Sequence, residues 1–328
     1  MNSLLKLKSL GQSIWLDYIQ REMLVNGEIK RMIDNDGLAG ITSNPAIFEK
    51  AINTHHDYDQ AIAMLIKQDA DTRAMYETLV LEDVTQAADL FHAVYDNTQG
   101  VDGYVSLEVS PHLAHDTDAT VTEAVRLWEL LNRPNILIKV PATVEGIPAM
   151  RSLIAAGINV NATLLFSVER YQRVADAYLS GLEQRVASGQ AIDQLASVAS
   201  FFLSRIDTLV DQMLDGLVNS DDIVGTVRGE TAIACARLAY QAYKKMFAGP
   251  RWEVLAQRGA RVQRLLWAST STKEPGYSDV KYVEALIGPD TVNTLPPQTL
   301  AAYREHGKPA FTLERELDKA GALPEQSL

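Results

Sequence analysis

One cysteine in 328 residues, Cys235, rules out an intrachain disulfide and a thiolate cluster for zinc, and it suits a reducing compartment. No apolar run approaches the ~18 residues of a spanning helix, so nothing reads as crossing a membrane. The N-terminal stretch MNSLLKLKSLGQSIW is cationic and leucine-rich like a targeting sequence. Lys6, Lys8, Gln12 and Ser13 nevertheless interrupt any apolar leader segment, and no small-residue cleavage site follows. The expected location is therefore cytoplasmic. Positive charge is also scarce: 30 Lys and Arg stand against 42 Asp and Glu, giving a net charge of −12 and a pI of about 5.0. That balance argues against nonspecific partnership with nucleic acid or an anionic membrane. The GxGxxG, GxxxxGK[ST] and HExxH patterns are all missing, which leaves nucleotide and zinc-protease readings without support. His55-His56-Asp57 lacks a metal-site spacing, and His112 with His115 comes without a third ligand, so no metal is expected.

Low-complexity blocks, short repeats and Pro/Gly/Ser linkers are absent too, up to the tail. What the chain does have is 47% hydrophobic against 22% charged residues, enough for a large core. Short apolar runs alternate with long helical patterns. The strand candidates are SIWLDYI (13–19), LAGITSN (38–44), GYVSLEV (103–109), NILIKVP (135–141), INVNATLLF (158–166), VASFFLS (198–204), RLLWAST (264–270) and DTVNTLP (290–296). Helix-like stretches such as DATVTEAVRLWELLN and SVERYQRVADAYLSGLEQRVASG lie between them. Roughly eight β-then-α units predict an α/β fold, a closed (β/α)8 TIM barrel.

Side-chain parity agrees with closure. Ile136, Ile138 and Val140 share one face of their strand, and Leu137 and Lys139 share the other. Val105, Leu107 and Val109 oppose Ser106, Glu108 and Ser110; Val160 and Ala162 oppose Asn161 and Thr163; Leu16 and Tyr18 oppose Trp15 and Asp17. Each strand thus offers an apolar face to the helices and polar groups late on its other face, where barrel sites sit.

Lys139 lies in the middle of an apolar run, and lysine is rarely buried without a partner. A lysine held away from water loses its proton more readily, and the neutral amine can attack a carbonyl to form a Schiff base. A structural ion pair with Glu108 or Asp17 is the plainer alternative. Carbon–carbon chemistry through a Schiff base needs one group to move the proton of the cleaved alcohol. It needs another to pass protons through water as the carbinolamine forms and decays. Asp17 and Glu108 end two different strands and suit those roles. Asn44 and Asn161 can bond substrate hydroxyls, and Thr163 can hold a water. Arg205, just past the sixth strand, is a candidate phosphate ligand, with Ser269, Ser271 and Lys273 past the seventh close in topology. Cys235 reads as core packing.

The segments ITSNPAIF, SLEVSP, KVPAT, GINVNATLLFSVERY, SFFLSRID and WASTSTKEPGYSDVKYVEALIGPDTVNTLP resemble the transaldolases, in order, over about residues 10–312. The likeness is to the longer subfamily, some of whose members are fused to a phosphoglucose isomerase. The resemblance implies a class I (Schiff-base) aldolase-like barrel that moves a dihydroxyacetone unit between sugar phosphates in the pentose phosphate pathway, without cofactor. It implies fructose 6-phosphate or sedoheptulose 7-phosphate as donor, and erythrose 4-phosphate or glyceraldehyde 3-phosphate as acceptor. By resemblance Lys139 is the Schiff-base lysine and Asp17 the acid/base of C3–C4 cleavage. Glu108 and Thr163 hold the catalytic water; Asn44, Asn161 and Ser200 contact the dihydroxyacetone hydroxyls; Arg205 binds phosphate. Two features depart from the pattern. Where shorter transaldolases carry Ser-x-Arg, this chain reads Ser269-Thr270-Ser271, which leaves Lys273 as the candidate second cation. Residues 313–328 form a short tail with room for only about two to three helical turns. Such a tail would shield the site less and let some free dihydroxyacetone escape. The alternatives are a fructose 6-phosphate aldolase releasing free dihydroxyacetone, against which Glu108 speaks because related aldolases carry Gln there, and a catalytically silent barrel. Oligomeric state is left open, a homodimer included.

Overall fold

A glycine marks how tightly the strands close. The computed structural model describes residues 2–215 and 227–320. In it, a β-carbon added to Gly40 would sit 2.7 Å from the Trp15 ring and from the Tyr104 carbonyl. Only glycine lets the first three strands converge there. Eight parallel strands close into a barrel in sequence order, from β1 (Gln12–Leu16), β2 (Gly40–Thr42), β3 (Tyr104–Glu108) and β4 (Ile136–Pro141) to β5 (Val160–Leu165), β6 (Ser197–Phe202), β7 (Arg264–Ala268) and β8 (Thr291–Leu295), with β8 pairing back onto β1. The chain has a (β/α)8 barrel fold, and all eight expected strands are present. Among the described residues no helix is long and apolar enough to cross a membrane.

The two strand faces separate as parity predicts. Ile14, Leu16, Val105, Leu107, Ile136, Ile138, Val140, Val160 and Ala162 face outward and join the large cluster shared with the helices. Trp15, Tyr104, Leu137, Val198, Leu266 and Val292 fill the barrel interior as a second, separate cluster. Below that layer, Arg264 on β7 donates to Asp102 Oδ1 at 2.9 Å and to Ser13 Oγ at 2.8 Å, closing the floor with a buried ion pair. Removing one partner of such a pair costs about 3–5 kcal/mol, because a charge stays buried alone.

Alternation fails once, in β5. Thr163 faces inward, but Leu164 also packs on the interior cluster with φ +62°, and the register with β6 shifts between Ala162 and Leu165. This β-bulge returns Leu165 to the outer core.

Local chemistry places the loops at the strand ends. Asn44 caps the helix Pro45–Thr54 by accepting from Ile47 N at 3.0 Å, with Pro45 in the first turn. After β4, an added β-carbon on Gly146 would stand 1.9 Å from the Pro141 carbonyl, so the next helix (Gly146–Ala156) can start directly against the strand end. Residues 313–320 run back along the helix Thr231–Met246: Glu314 pairs with Lys244, Glu316 with Arg237, and Ala320 joins a small apolar cluster with Ala234, Val227 and Leu214. Residues 321–328, the end of the expected tail, lie outside the described residues.

Candidate active site

Register brings the polar groups together. Glu108 pairs with Lys139, and Lys139 with Asn161, across three consecutive strands. Lys139 is buried, and its Nζ lies 3.1 Å from Glu108 Oε2 and donates to the Ser43 carbonyl at 3.2 Å. The plain ion-pair partner is thus Glu108, not Asp17. An ammonium with two such acceptors is compensated for its burial. The same contact also puts a carboxylate within proton-transfer distance of the amine.

Above the amine lies a cavity of about 230 Å³ at the C-terminal ends of the strands. Asp17, Asn44, Lys139, Thr163, Ser200, Arg205, Ser269, Ser271 and Lys273 line it. Glu108 lines the wider mouth of about 820 Å³ into which it opens. Nine of these ten side chains are among those expected from sequence as site residues, and Ser271 was named beside them. Asn161 stands apart: it is fully buried, its amide donates to Ser106 Oγ at 3.0 Å, and its oxygen accepts from Ser200 Oγ at 2.7 Å. It braces Ser200 from behind and does not line the cavity.

Asp17 sits across the cavity, one residue past β1. Surrounding protein strips its carboxyl of water and pushes it above the usual carboxylate range, against the opposing pull of Lys139, the Thr42 hydroxyl and Arg205. Thr42 donates to Asp17 Oδ1 at 2.7 Å and lies 2.6 Å from Thr294 Oγ1. Since Thr42 has one proton to give and Asp17 takes it, Thr294 must donate to Thr42. Thr163 Oγ1 is buried without a hydrogen-bond partner among the described residues, a hydroxyl open to a cavity ligand.

Arg205 lies in the first turn of the helix Ser204–Asp215, directly after β6. Its guanidinium lies 5.0 Å from the centre of the Phe202 ring and forms no ion pair among the described residues, leaving its donors to the cavity. Ser269, at φ +54°, meets Ser204 Oγ at 2.8 Å, and Lys273 Nζ donates to Ser271 Oγ at 3.0 Å. The cavity therefore brings a nucleophile, the Asp17 carboxylate and two cations together, with Glu108 beside the amine at the mouth.

The model of the transaldolase/fructose-6-phosphate aldolase family matches residues 14–326. The chain belongs to that family. A relative named Transaldolase 2, from Nostoc sp. (strain PCC 7120 / SAG 25.82 / UTEX 2576), is 49% identical over 332 residues, 99% of this chain and 87% of its own. One named Transaldolase, from Trichodesmium erythraeum (strain IMS101), is 52% identical over 93% of this chain and 82% of its own. Another Transaldolase, from Thiobacillus denitrificans (strain ATCC 25259 / T1), is 50% identical over 98% and 89%. Thr42, Thr294 and Phe202 also line the cavity and were not among the residues expected from sequence. Thr42 and Thr294 had a signal, since each lies near the end of an expected strand; Phe202 had none beyond its place in the strand candidate VASFFLS.

Proposed function

We infer that the chain is a transaldolase: it takes a dihydroxyacetone unit from a ketose phosphate onto Lys139 and passes it to an aldose phosphate. The observation that carries this reading is the Lys139 amine, buried 3.1 Å from Glu108, in a cavity that also holds Asp17 and Arg205. Neutral Lys139 attacks C2 of the donor ketose. Glu108 moves protons as the carbinolamine forms and loses water, with Thr163 orienting that water. Asp17 then takes the proton of the C4 hydroxyl, the C3–C4 bond breaks, and its electrons pass into the iminium to give an enamine. The aldose phosphate leaves. An acceptor aldehyde enters, the enamine carbon attacks it, and Asp17 returns its proton to the new alkoxide. Hydrolysis frees Lys139.

Asn44 has its oxygen committed to the helix cap, so its amide hydrogens are what it offers a substrate hydroxyl. Ser200 offers an acceptor lone pair, with Asn161 acting through it. Arg205 takes the phosphate, with Ser269, Ser271 and Lys273 completing that end. The donors are fructose 6-phosphate and sedoheptulose 7-phosphate, the acceptors erythrose 4-phosphate and glyceraldehyde 3-phosphate, and the place is the cytoplasmic pentose phosphate pathway. No cofactor takes part.

Incubation with fructose 6-phosphate, with and without erythrose 4-phosphate, tests the assignment. A transaldolase makes glyceraldehyde 3-phosphate and sedoheptulose 7-phosphate together, and only with the acceptor. Release of free dihydroxyacetone at the same rate without it would make the chain an aldolase.

A further inference from the structure

Behind Arg205, two buried carboxylates have no place in the chemistry above. Asp207 and Asp211, one helical turn apart on the Arg205 helix, are 1% and 3% exposed. Burying carboxylates this deeply is costly unless each is fully bonded. Asp207 accepts from Ala232 N at 2.7 Å and from Tyr282 OH at 2.8 Å. Asp211 accepts from Gly229 N at 2.9 Å and from Tyr277 OH at 2.7 Å. The two backbone donors come from the first turn of the helix Thr231–Met246 and from the turn just before it, and the two tyrosines from the segment that follows β7.

That segment is the one carrying Ser269, Ser271 and Lys273. Lys273, Ser271 and Tyr277 are partly or well exposed, so little apolar burial holds this stretch in place. Its anchors are instead specific. Tyr277 and Tyr282 hydrogen-bond inward, and the Lys281 ammonium lies 4.1 Å from the centre of the Tyr277 ring and 3.3 Å from Glu230. Gly229 leaves no slack, since an added β-carbon there would meet Tyr277 Oη at 2.5 Å.

We propose that Asp207 and Asp211 are positioning residues for substrate phosphate. Through Tyr282 and Tyr277 they fasten the loop after β7 to the helix that carries Arg205 in its first turn. The two cations of the cavity thereby keep a fixed spacing, although they arise from different β–α units. Arg205 is aimed by its helix; Lys273 is aimed by the clamp. Pre-set spacing means that phosphate binding does not have to order the loop. The inference rests on the assignment of Arg205 and Lys273 to phosphate.

The test is steady-state kinetics of Tyr277→Phe, Lys273→Ala and their double variant, with fructose 6-phosphate and with unphosphorylated fructose as donor, alongside melting temperatures. Tyr277→Phe should raise KM for fructose 6-phosphate about three- to tenfold, only part of the roughly 10- to 150-fold that one hydrogen bond to a charged group can carry, because the bond acts on phosphate indirectly through the loop. Its kcat, and both constants with fructose, should stay within about twofold. The effect should vanish in the Lys273→Ala background, since the clamp acts through that lysine. A lowered melting temperature with unchanged KM overturns the proposal, as does an equal loss on both donors or an additive double variant. Should Tyr277→Phe not fold, Tyr282→Phe and Asp211→Asn are read by the same criteria. Arg205→Ala in the same assay separates the two claims. If it leaves KM unchanged, the phosphate assignment fails; if it raises KM while Tyr277→Phe does not, only the clamp fails.

Discussion

Replacing Thr42 by valine keeps the shape of the side chain and removes the one hydroxyl that bonds Asp17. The contact is 2.7 Å long, Thr42 is 2% exposed, and water has little access to replace it. A hydrogen bond to a charged group contributes about 1.5–3 kcal/mol. At ~1.36 kcal/mol per pKa unit, its loss should lift the Asp17 carboxyl, already raised by burial, by about 1–2 units further. Asp17 must be ionised to take the C4 hydroxyl proton. Activity therefore falls as pH drops through its pKa, and the variant should fall off at higher pH than the parent. The assay is kcat/KM for transfer from fructose 6-phosphate between pH 5 and 9, which reports groups of the free enzyme. Using one substrate for both proteins cancels its own phosphate ionisation. The expected loss is about 10-fold or more on the acid limb and small on the plateau. Thr294 would also lose its acceptor, a destabilisation of about 1–3 kcal/mol visible as a lower melting temperature. An acid limb that stays in place while the plateau drops would show that Thr42 does not act through Asp17.

Other expectations follow from the same site. Asp17→Ala should still form an adduct but stall before cleavage, so that reduction traps the whole sugar, whereas Glu108→Ala should slow adduct formation itself; each should lose about 10²–10⁴-fold in turnover, and trapping of one species at one rate in both would refute the division of labour. Arg205→Ala should raise KM for phosphorylated donors and leave fructose nearly unaffected, and a comparable loss on both would assign Arg205 to the fold. Asp207, pushed up to about 6 by burial from 3.8, binds more protons folded than unfolded between those values. Its contribution to stability is therefore full below about pH 4 and lost as pH rises through about 6, a change of about 3 kcal/mol. Urea unfolding of Asp207→Asn against the parent should show that difference shrinking toward low pH, and a pH-independent difference would contradict it.

The barrel was legible because a strand between two packed layers leaves a short apolar run, and because period-two parity assigns its faces. Lys139, Glu108 and Asp17 stood out for the same reason: each is a charge on an inward face late in a strand, a position that apolar packing alone does not explain. What the sequence does not carry is pairing across strands. Asn161 has the right parity, yet its amide is consumed by Ser106 and Ser200, which only the register of three strands decides. The bulge at Leu164 leaves no local mark, since no glycine or proline accompanies it. Thr42 looks like any strand threonine until Asp17 and Thr294 are brought to it. Asp207 and Asp211 carry no sequence signal of burial, because the tyrosines that bond them lie some seventy residues away.

The central claim is that Lys139 carries the substrate covalently. Borohydride reduction in the presence of fructose 6-phosphate, followed by digestion and mass spectrometry of the peptides, tests it directly. A reduced adduct is expected on the peptide containing Lys139 and none on Lys139→Arg, whose guanidinium keeps its proton and cannot attack. An adduct on another lysine, or turnover that survives Lys139→Arg, would contradict it.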